Sequence, residues 1–213
     1  MHKYYLFDFD GTLVDSMPHW SKTMLDALDD GKVSYPDNIL DIVCPLGYKG
    51  TAEYFINVLG LKANSDELVE YFISKAVYNY KNIIPLKDWV KDYLLFLKSK
   101  GKSLNVLTAS PHNALDPCLK RLGVFDLFDN VWSCDDFNTT KADPKIYHAV
   151  AEKLNTTVNE IAFFDDNINS IKTGKQAGAY TVGIFDKSGI NFTNELKSTA
   201  HQFYESFLVA KEV

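Results

Sequence analysis

Two aspartates one residue apart, Asp8 and Asp10, stand at the end of an apolar run near the start of the chain, "YYLFDFDGT". Carboxylates this close repel one another, and neither suits a core without a partner, so their charge must be put to use. A carboxylate placed as Asp8 is can attack phosphorus and form an acyl-phosphate, which divides a hard hydrolysis into two easier steps. Asp10 sits beside that centre, where it can protonate a leaving oxygen and later deprotonate the attacking water. Gly11 allows the sharp turn and the close approach of backbone to phosphate. Three other pieces offer matching chemistry. Thr108 in "LTAS" has a hydroxyl which, with the amides that follow from Ala109, forms a small phosphate cradle. Lys141 in "TKADPKIY" brings positive charge to offset a transferring phosphoryl group. Asp165 and Asp166 in "FFDD" bring more carboxylate oxygens. Acids beside a phosphate require a cation, and an all-oxygen ligand set selects Mg²⁺.

These pieces need elements to carry them. Tyr4–Asp8 reads as a buried strand, and at Ser16 the apolar period lengthens to that of a helix ending at Gly31. "CPLGYKGT" reads as a glycine-rich loop with Tyr48 and Lys49 at its tip, leading into a helix capped by Thr51. A further helix follows Asn64, which has capping-box spacing to Glu67. From residue 82 the pattern becomes an alternation. A helix from Trp89, closing at Gly101, precedes strand "SLNVLTAS", and helices near 114–122, 144–154 and up to Ala177 alternate with strands near 131–133, "IAFFDD" and "YTVGIF". Beyond Asp186 an amphipathic helix is expected to use Leu196, Phe203 and Phe207 for packing. Alternating strands and helices imply a parallel sheet covered on both faces. The expected class is therefore α/β: a doubly wound parallel sheet with an inserted all-helical domain. The division falls at residues 1–14 and 82–213 for the core and 15–81 for the insertion. Ligands of such sheets bind beyond the carboxyl ends of the strands, where Asp8, Thr108 and Asp165 would all stand.

Composition narrows the function. A chain of 213 residues that is 46% hydrophobic is globular rather than disordered, and its net charge of −6 argues against a nucleic-acid or anionic-membrane surface. The opening residues are too short and too acidic for a signal peptide, and no stretch approaches the roughly 18 apolar residues of a membrane span. A cytoplasmic protein is expected. Cys44, Cys118 and Cys134 form no CxxC, so reduced and mostly buried thiols are expected.

Taken together, "DFDGTLVDS", the Thr of "LTAS", the Lys of "KADPKIY" and the acidic "FFDDNINS" resemble the four motifs of the haloacid dehalogenase-like superfamily, in order and up to about Phe185. They resemble in particular its phosphatase branch with a helical cap, the group of phosphoglycolate phosphatases and β-phosphoglucomutases. The resemblance implies a Rossmann-like core with Asp8 as phosphoryl-accepting nucleophile and Asp10 as general acid and base. It implies Asp8, Asp165 and the main-chain carbonyl of Asp10 as Mg²⁺ ligands, and Thr108 and Lys141 as the pair that holds phosphate. Members that dehalogenate lack the second aspartate, so Asp10 points to phosphate chemistry. The chain departs from the family at Phe164, where a glycine is usual, at Asn169, where an aspartate is usual, and at Ala142, where a proline is usual. Asp166 is read equally as a metal ligand or as an acid at a helix N-terminus.

The cap loop implies a substrate contact for Lys49, and His19 lies one residue from where related enzymes carry a cap histidine. A closing cap would exclude bulk water from the reaction. The expected activity is hydrolysis of a small phosphorylated metabolite. A sugar-phosphate mutase and a phosphate-binding module without catalysis are the rival readings. The specific substrate and the oligomeric state are left open by the residues.

Overall fold

Residue 17 begins a run of helices that extends to residue 83, and the chain divides there into two units: residues 1–16 with 84–213, and residues 17–83. The computed structural model describes residues 1–213, the side chain of Pro45 excepted. The helical unit comprises α1 (Met17–Asp30), α2 (Ile39–Val43), α3 (Gly47–Asn57) and α4 (Ser65–Asn82). Each turns an apolar stripe inward, and Met24, Leu28, Phe55 and Phe72 are fully buried in one cluster against which Trp20 packs. Asn64 caps α4, its side-chain oxygen accepting the N–H groups of Asp66 and Glu67 at 2.9 and 3.2 Å. The "CPLGYKGT" segment differs from its expected loop. Cys44–Leu46 forms a 3-10 turn and α3 starts at Gly47, which puts Tyr48 and Lys49 in the first turn. Thr51 is therefore buried within the helix rather than at its cap, and its hydroxyl donates to the carbonyl of Val43 at 3.2 Å.

The other unit is built on six strands: β1 (Tyr4–Phe7), β2 (Ser103–Thr108), β3 (Asn130–Ser133), β4 (Ile161–Asp165), β5 (Tyr180–Ile184) and β6 (Gln202–Tyr204). All pairs are parallel, in the order β3-β2-β1-β4-β5-β6. The helices α5 (Val90–Ser99), α6 (His112–Arg121), α7 (Lys145–Lys153), α8 (Ile168–Ala177) and α9 (Thr193–Thr199) connect or follow these strands. The central strand β1 is apolar throughout, and its neighbour β4 is apolar up to its final Asp165, because both sheet faces are covered. Leu6 and Phe163 pack with Ile146, Tyr147 and Ile171 on one face. The rings of Phe7 and Phe164 lie 4.7 Å apart, tilted by 37°, on the other, with Tyr93 of α5 at 6.4 and 6.1 Å from them. Three sequence expectations shift. Trp89 precedes α5 with φ +67° and is half-exposed instead of packing. Phe203 and Phe207 lie outside the tail helix, on β6 and on a 3-10 turn, because a three-residue strand is too short to show an alternating pattern. Cys44 is exposed, whereas Cys118 and Cys134 are buried, and all three are unbridged. Among the described residues, no helix is long and apolar enough to cross a membrane.

The turn after β1 is fixed from two sides. Phe9 accepts the N–H groups of Leu13 and Val14, and Gly11 donates to Val14, which closes a tight loop. The chain entering α5 then runs antiparallel to it: Asp15 donates to Pro85, and Lys87 to Leu13, each at 3.0 Å. The Lys87 ammonium donates to the carbonyls of Gly11 and Phe185, both at 2.6 Å, and to Asp186 Oδ2 at 2.9 Å. One mostly buried lysine thus ties the first loop to the end of β5. Burial works against ionisation of Asp186, but Lys87 and Ser188 outweigh it and hold the carboxyl below its ordinary 3.8. A carboxylate with a depressed folded pKa stabilises above its unfolded value, and that contribution fades as pH falls through the folded one. Asp186→Asn is therefore expected to cost about 2 kcal/mol at neutral pH. In urea unfolding across a pH series, the gap from wild type should close below pH 3.8.

Candidate active site

Three adjacent strands end in chemistry at the same edge of the sheet. Asp8 follows β1 and donates its N–H to the carbonyl of Phe164 at 2.8 Å, so the first aspartate is tied to the strand that carries Asp165. Thr108 closes β2, on the other side of β1. The connections switch direction on either side of β1, and the ends of the strands beside such a switch are where doubly wound sheets bind ligands.

Lys141 reaches this point from the segment before α7. Its ammonium is paired with Asp8 Oδ1 and, at 2.7 Å, with Asp165 Oδ2. The backbone behind it is held by the buried Tyr147, whose hydroxyl lies 3.1 Å from the carbonyls of Lys141 and Ser170. Asp165 is fully buried, and its second oxygen accepts the N–H of Asn167 at 2.7 Å. Burial pushes the Asp8 carboxyl up to about 7, with the charges of Asp165 and Asp10 adding to the shift and Lys141 opposing it. Burial would lower the Lys141 ammonium, but the two carboxylates outweigh it and hold it well above its ordinary value. Lys141 stays charged here, and the negative charge around it is in excess.

Asp166 belongs to the same cluster. Carboxylate oxygens of Asp8, Asp165 and Asp166 all lie within 4.8 Å of one another. Burial, followed by the charges of Asp165 and Asp8, raises the Asp166 carboxyl well above its ordinary value. Its orientation is fixed by the fully buried Thr12, whose hydroxyl donates to Asp166 Oδ1 at 2.9 Å and accepts the Asp166 N–H at 3.1 Å. Asp166 lies just before α8, which Asn167 caps by accepting from Asn169 and Ser170. Three carboxylates against one ammonium form an all-oxygen donor set with a deficit of positive charge, which fits a hard divalent cation such as Mg²⁺.

The remaining residues are placed as follows. Asp10 Oδ2 accepts the hydroxyl of Ser110 at 2.6 Å, and the N–H of Ser110 donates to Thr108 Oγ1 at 3.0 Å. Thr108 is buried, and Ala109 is exposed between these two anchors. Asn169 and Lys145 are exposed on the first turns of α8 and α7. Lys49 is exposed on α3 and His19 is half-buried on α1, both within the helical unit. Sequence reasoning did not assign Thr12, Ser110 or Lys87. The adjacency of Thr12 to Gly11 and the two-residue spacing of Ser110 from Thr108 were the available signals.

Gly11 has φ +77°, and a Cβ built there would lie 2.5 Å from Asp166 Oδ2. A side chain at this position would meet both left-handed strain and the cluster itself. Gly11→Ala is expected to lower stability by about 2 kcal/mol. Chemical denaturation read by circular dichroism checks this, with Gly101→Ala as the comparison: φ is +72° there, but the added Cβ meets open space.

Comparison with known proteins follows the same residues. A family model described as haloacid dehalogenase-like hydrolase matches residues 2–178. Hexitol phosphatase B of Escherichia coli (strain K12) is 27% identical over 181 residues, covering 81% of this chain and 78% of its own. Phosphoglycolate phosphatase of Yersinia pseudotuberculosis is 27% identical over 202 residues, covering 92% of this chain and 84% of its own. The crystal structure of β-phosphoglucomutase from Clostridium difficile matches with a TM-score of 0.77 at 17% identity, covering 99% of this chain and 94% of that one, a likeness of fold alone. The parallel sheet with its strand-end aspartates and the family match over most of the chain agree: the chain belongs to the haloacid dehalogenase-like hydrolases.

Proposed function

We propose that this hydrolase cleaves a small phosphomonoester metabolite through an aspartyl-phosphate on Asp8, with Mg²⁺ as its cofactor. The observation that carries the reading is the pairing of Lys141 with both Asp8 and Asp165 beside a third carboxylate, Asp166. Such a cluster is costly in a core unless further positive charge joins it, and a reaction that brings a phosphate there gives that charge a use. The relatives named as phosphatases support the same class of substrate.

In this reading an oxygen of Asp8 attacks phosphorus and displaces the alcohol oxygen, which takes a proton from Asp10. Asp10, now ionised, removes a proton from the water that attacks the aspartyl-phosphate, and phosphate departs as the Asp8 carboxylate is restored. Lys141 balances charge beside the nucleophile throughout, and the Thr108 hydroxyl and the amide of Ala109 hold phosphoryl oxygens. Asp8, Asp165 and Asp166, with the main-chain carbonyl of Asp10, would hold Mg²⁺, which when bound supplies charge neutralisation for the transferring group. Lys49 is proposed as a contact for a second anionic group of the substrate.

The test is phosphate release from a panel of sugar phosphates, phosphoglycolate and nucleotides. Release should require Mg²⁺, stop on chelation with EDTA and return when Mg²⁺ is restored. Asp8→Asn should remove it to background, and Asp10→Asn should lower kcat by at least about 10²-fold. Isomerised sugar phosphate without phosphate release would show a mutase instead.

A further inference from the structure

The glycine that follows Asp10 is held at both of its backbone groups. Its N–H donates to the carbonyl of Val14 at 3.0 Å, and its carbonyl accepts from the Lys87 ammonium at 2.6 Å. Gly11 has φ +77° and no side chain to limit its backbone, so these two bonds fix the peptide unit on either side of it. The unit before it carries the Asp10 carbonyl, which points away from the Gly11 N–H because the unit is planar and trans. The unit after it leads to Thr12, whose hydroxyl donates to Asp166 Oδ1 at 2.9 Å and accepts the Asp166 N–H at 3.1 Å. Gly11 also lies against that carboxyl, since a Cβ there would sit 2.5 Å from Asp166 Oδ2. Lys87 gives its remaining N–H groups to the carbonyl of Phe185 at 2.6 Å and to Asp186 Oδ2 at 2.9 Å. The ammonium is therefore anchored at the end of β5, independently of the loop it holds.

We propose that Lys87 is a positioning residue for the divalent-cation site, fixing through the Gly11 carbonyl both the Asp10 carbonyl and the Asp166 carboxyl. This rests on the reading above of those two groups as Mg²⁺ ligands. Lys87 bonds to neither of them, so its support runs through the Gly11 backbone. Its charge works the other way. That charge is felt at the Asp166 carboxyl, and a fixed cation repels a second one brought near it. The two effects have opposite signs: loss of a charge alone tightens cation binding, whereas loss of a support for the ligands weakens it. Groups that orient metal ligands without touching the ion carry about 10- to 100-fold of affinity, which outweighs the repulsion of an ammonium already neutralised by Asp186.

Titration of the metal-free protein with Mn²⁺, the free ion being read by electron paramagnetic resonance, measures affinity without turnover. Lys87→Met should weaken Mn²⁺ binding by about tenfold or more. Lys87→Gln, with a shorter and neutral polar side chain, should do the same and serves if the first variant does not fold. Asp186→Asn removes the ion pair and keeps the two carbonyl bonds of the ammonium. It should unfold at lower urea than wild type yet bind Mn²⁺ as wild type does. Unchanged binding in the Lys87 variants would overturn the proposal and leave Lys87 a structural tie. Tighter binding would overturn it and leave Lys87 a charge alone. Equal weakening in Asp186→Asn would also overturn it, because the loss would then follow stability and not the hold on Gly11. Wild-type protein that takes up no Mn²⁺, or no more than Asp165→Asn does, would remove the metal reading and this role with it. Wild-type binding lost in Asp165→Asn but kept in the Lys87 variants would remove the Lys87 role alone.

Discussion

One ammonium shared between two buried carboxylates sets the terms for the rest of the molecule. Lys141 reaches Asp8 and Asp165 at once, and neither aspartate would be tolerable at so little exposure without it. The three residues come from segments separated by 133 and 24 positions, so the contact forms only if β1 and β4 are neighbours and the segment before α7 returns to their carboxyl ends. The strand order satisfies this, and Tyr147 braces the lysine backbone from behind. The neutralisation is still incomplete. Asp166 adds a third carboxyl that Lys141 does not pair with, which leaves the cluster short of positive charge and suited to a divalent cation.

The fold was legible in the sequence because its signals are long-range patterns of apolar residues. The buried runs at Tyr4–Phe7 and Ile161–Asp165 could belong only to strands covered on both faces, and the change of period at Ser16 marked the helical stretch. What the sequence obscured was short or local. The three residues of β6 carry too little alternation to register. The start of α3 at Gly47 puts Thr51 inside the helix, its hydroxyl reaching back to the Val43 carbonyl of α2, where the residue type suggested a cap.

The site was legible in its charged residues and obscure in its hydrogen-bonded ones. Asp8 and Asp165 stand out because their charges need a reason to be at strand ends, and Lys141 because it stands between them in the same series of motifs. Thr12 and Ser110 do not stand out, since serine and threonine are common in loops and a single hydroxyl announces no direction. Yet Thr12 orients Asp166, Ser110 reaches Asp10, and Lys87 anchors the carbonyl of Gly11 next to it. These connectors hold the backbone and the carboxyls around the charged groups. Asp166 lies just before Asn167, the N-cap of α8, and its carboxyl joins those of Asp8 and Asp165.

The central claim is that the Asp8 carboxylate bonds covalently to phosphorus during turnover. Its most direct test is to quench the enzyme with acid during turnover of a phosphate ester, reduce the trapped species with borohydride and map the peptides by mass spectrometry. The account predicts homoserine at position 8 and at no other aspartate. Turnover with no reduced residue, or reduction at Asp10, Asp165 or Asp166 in place of Asp8, would contradict it.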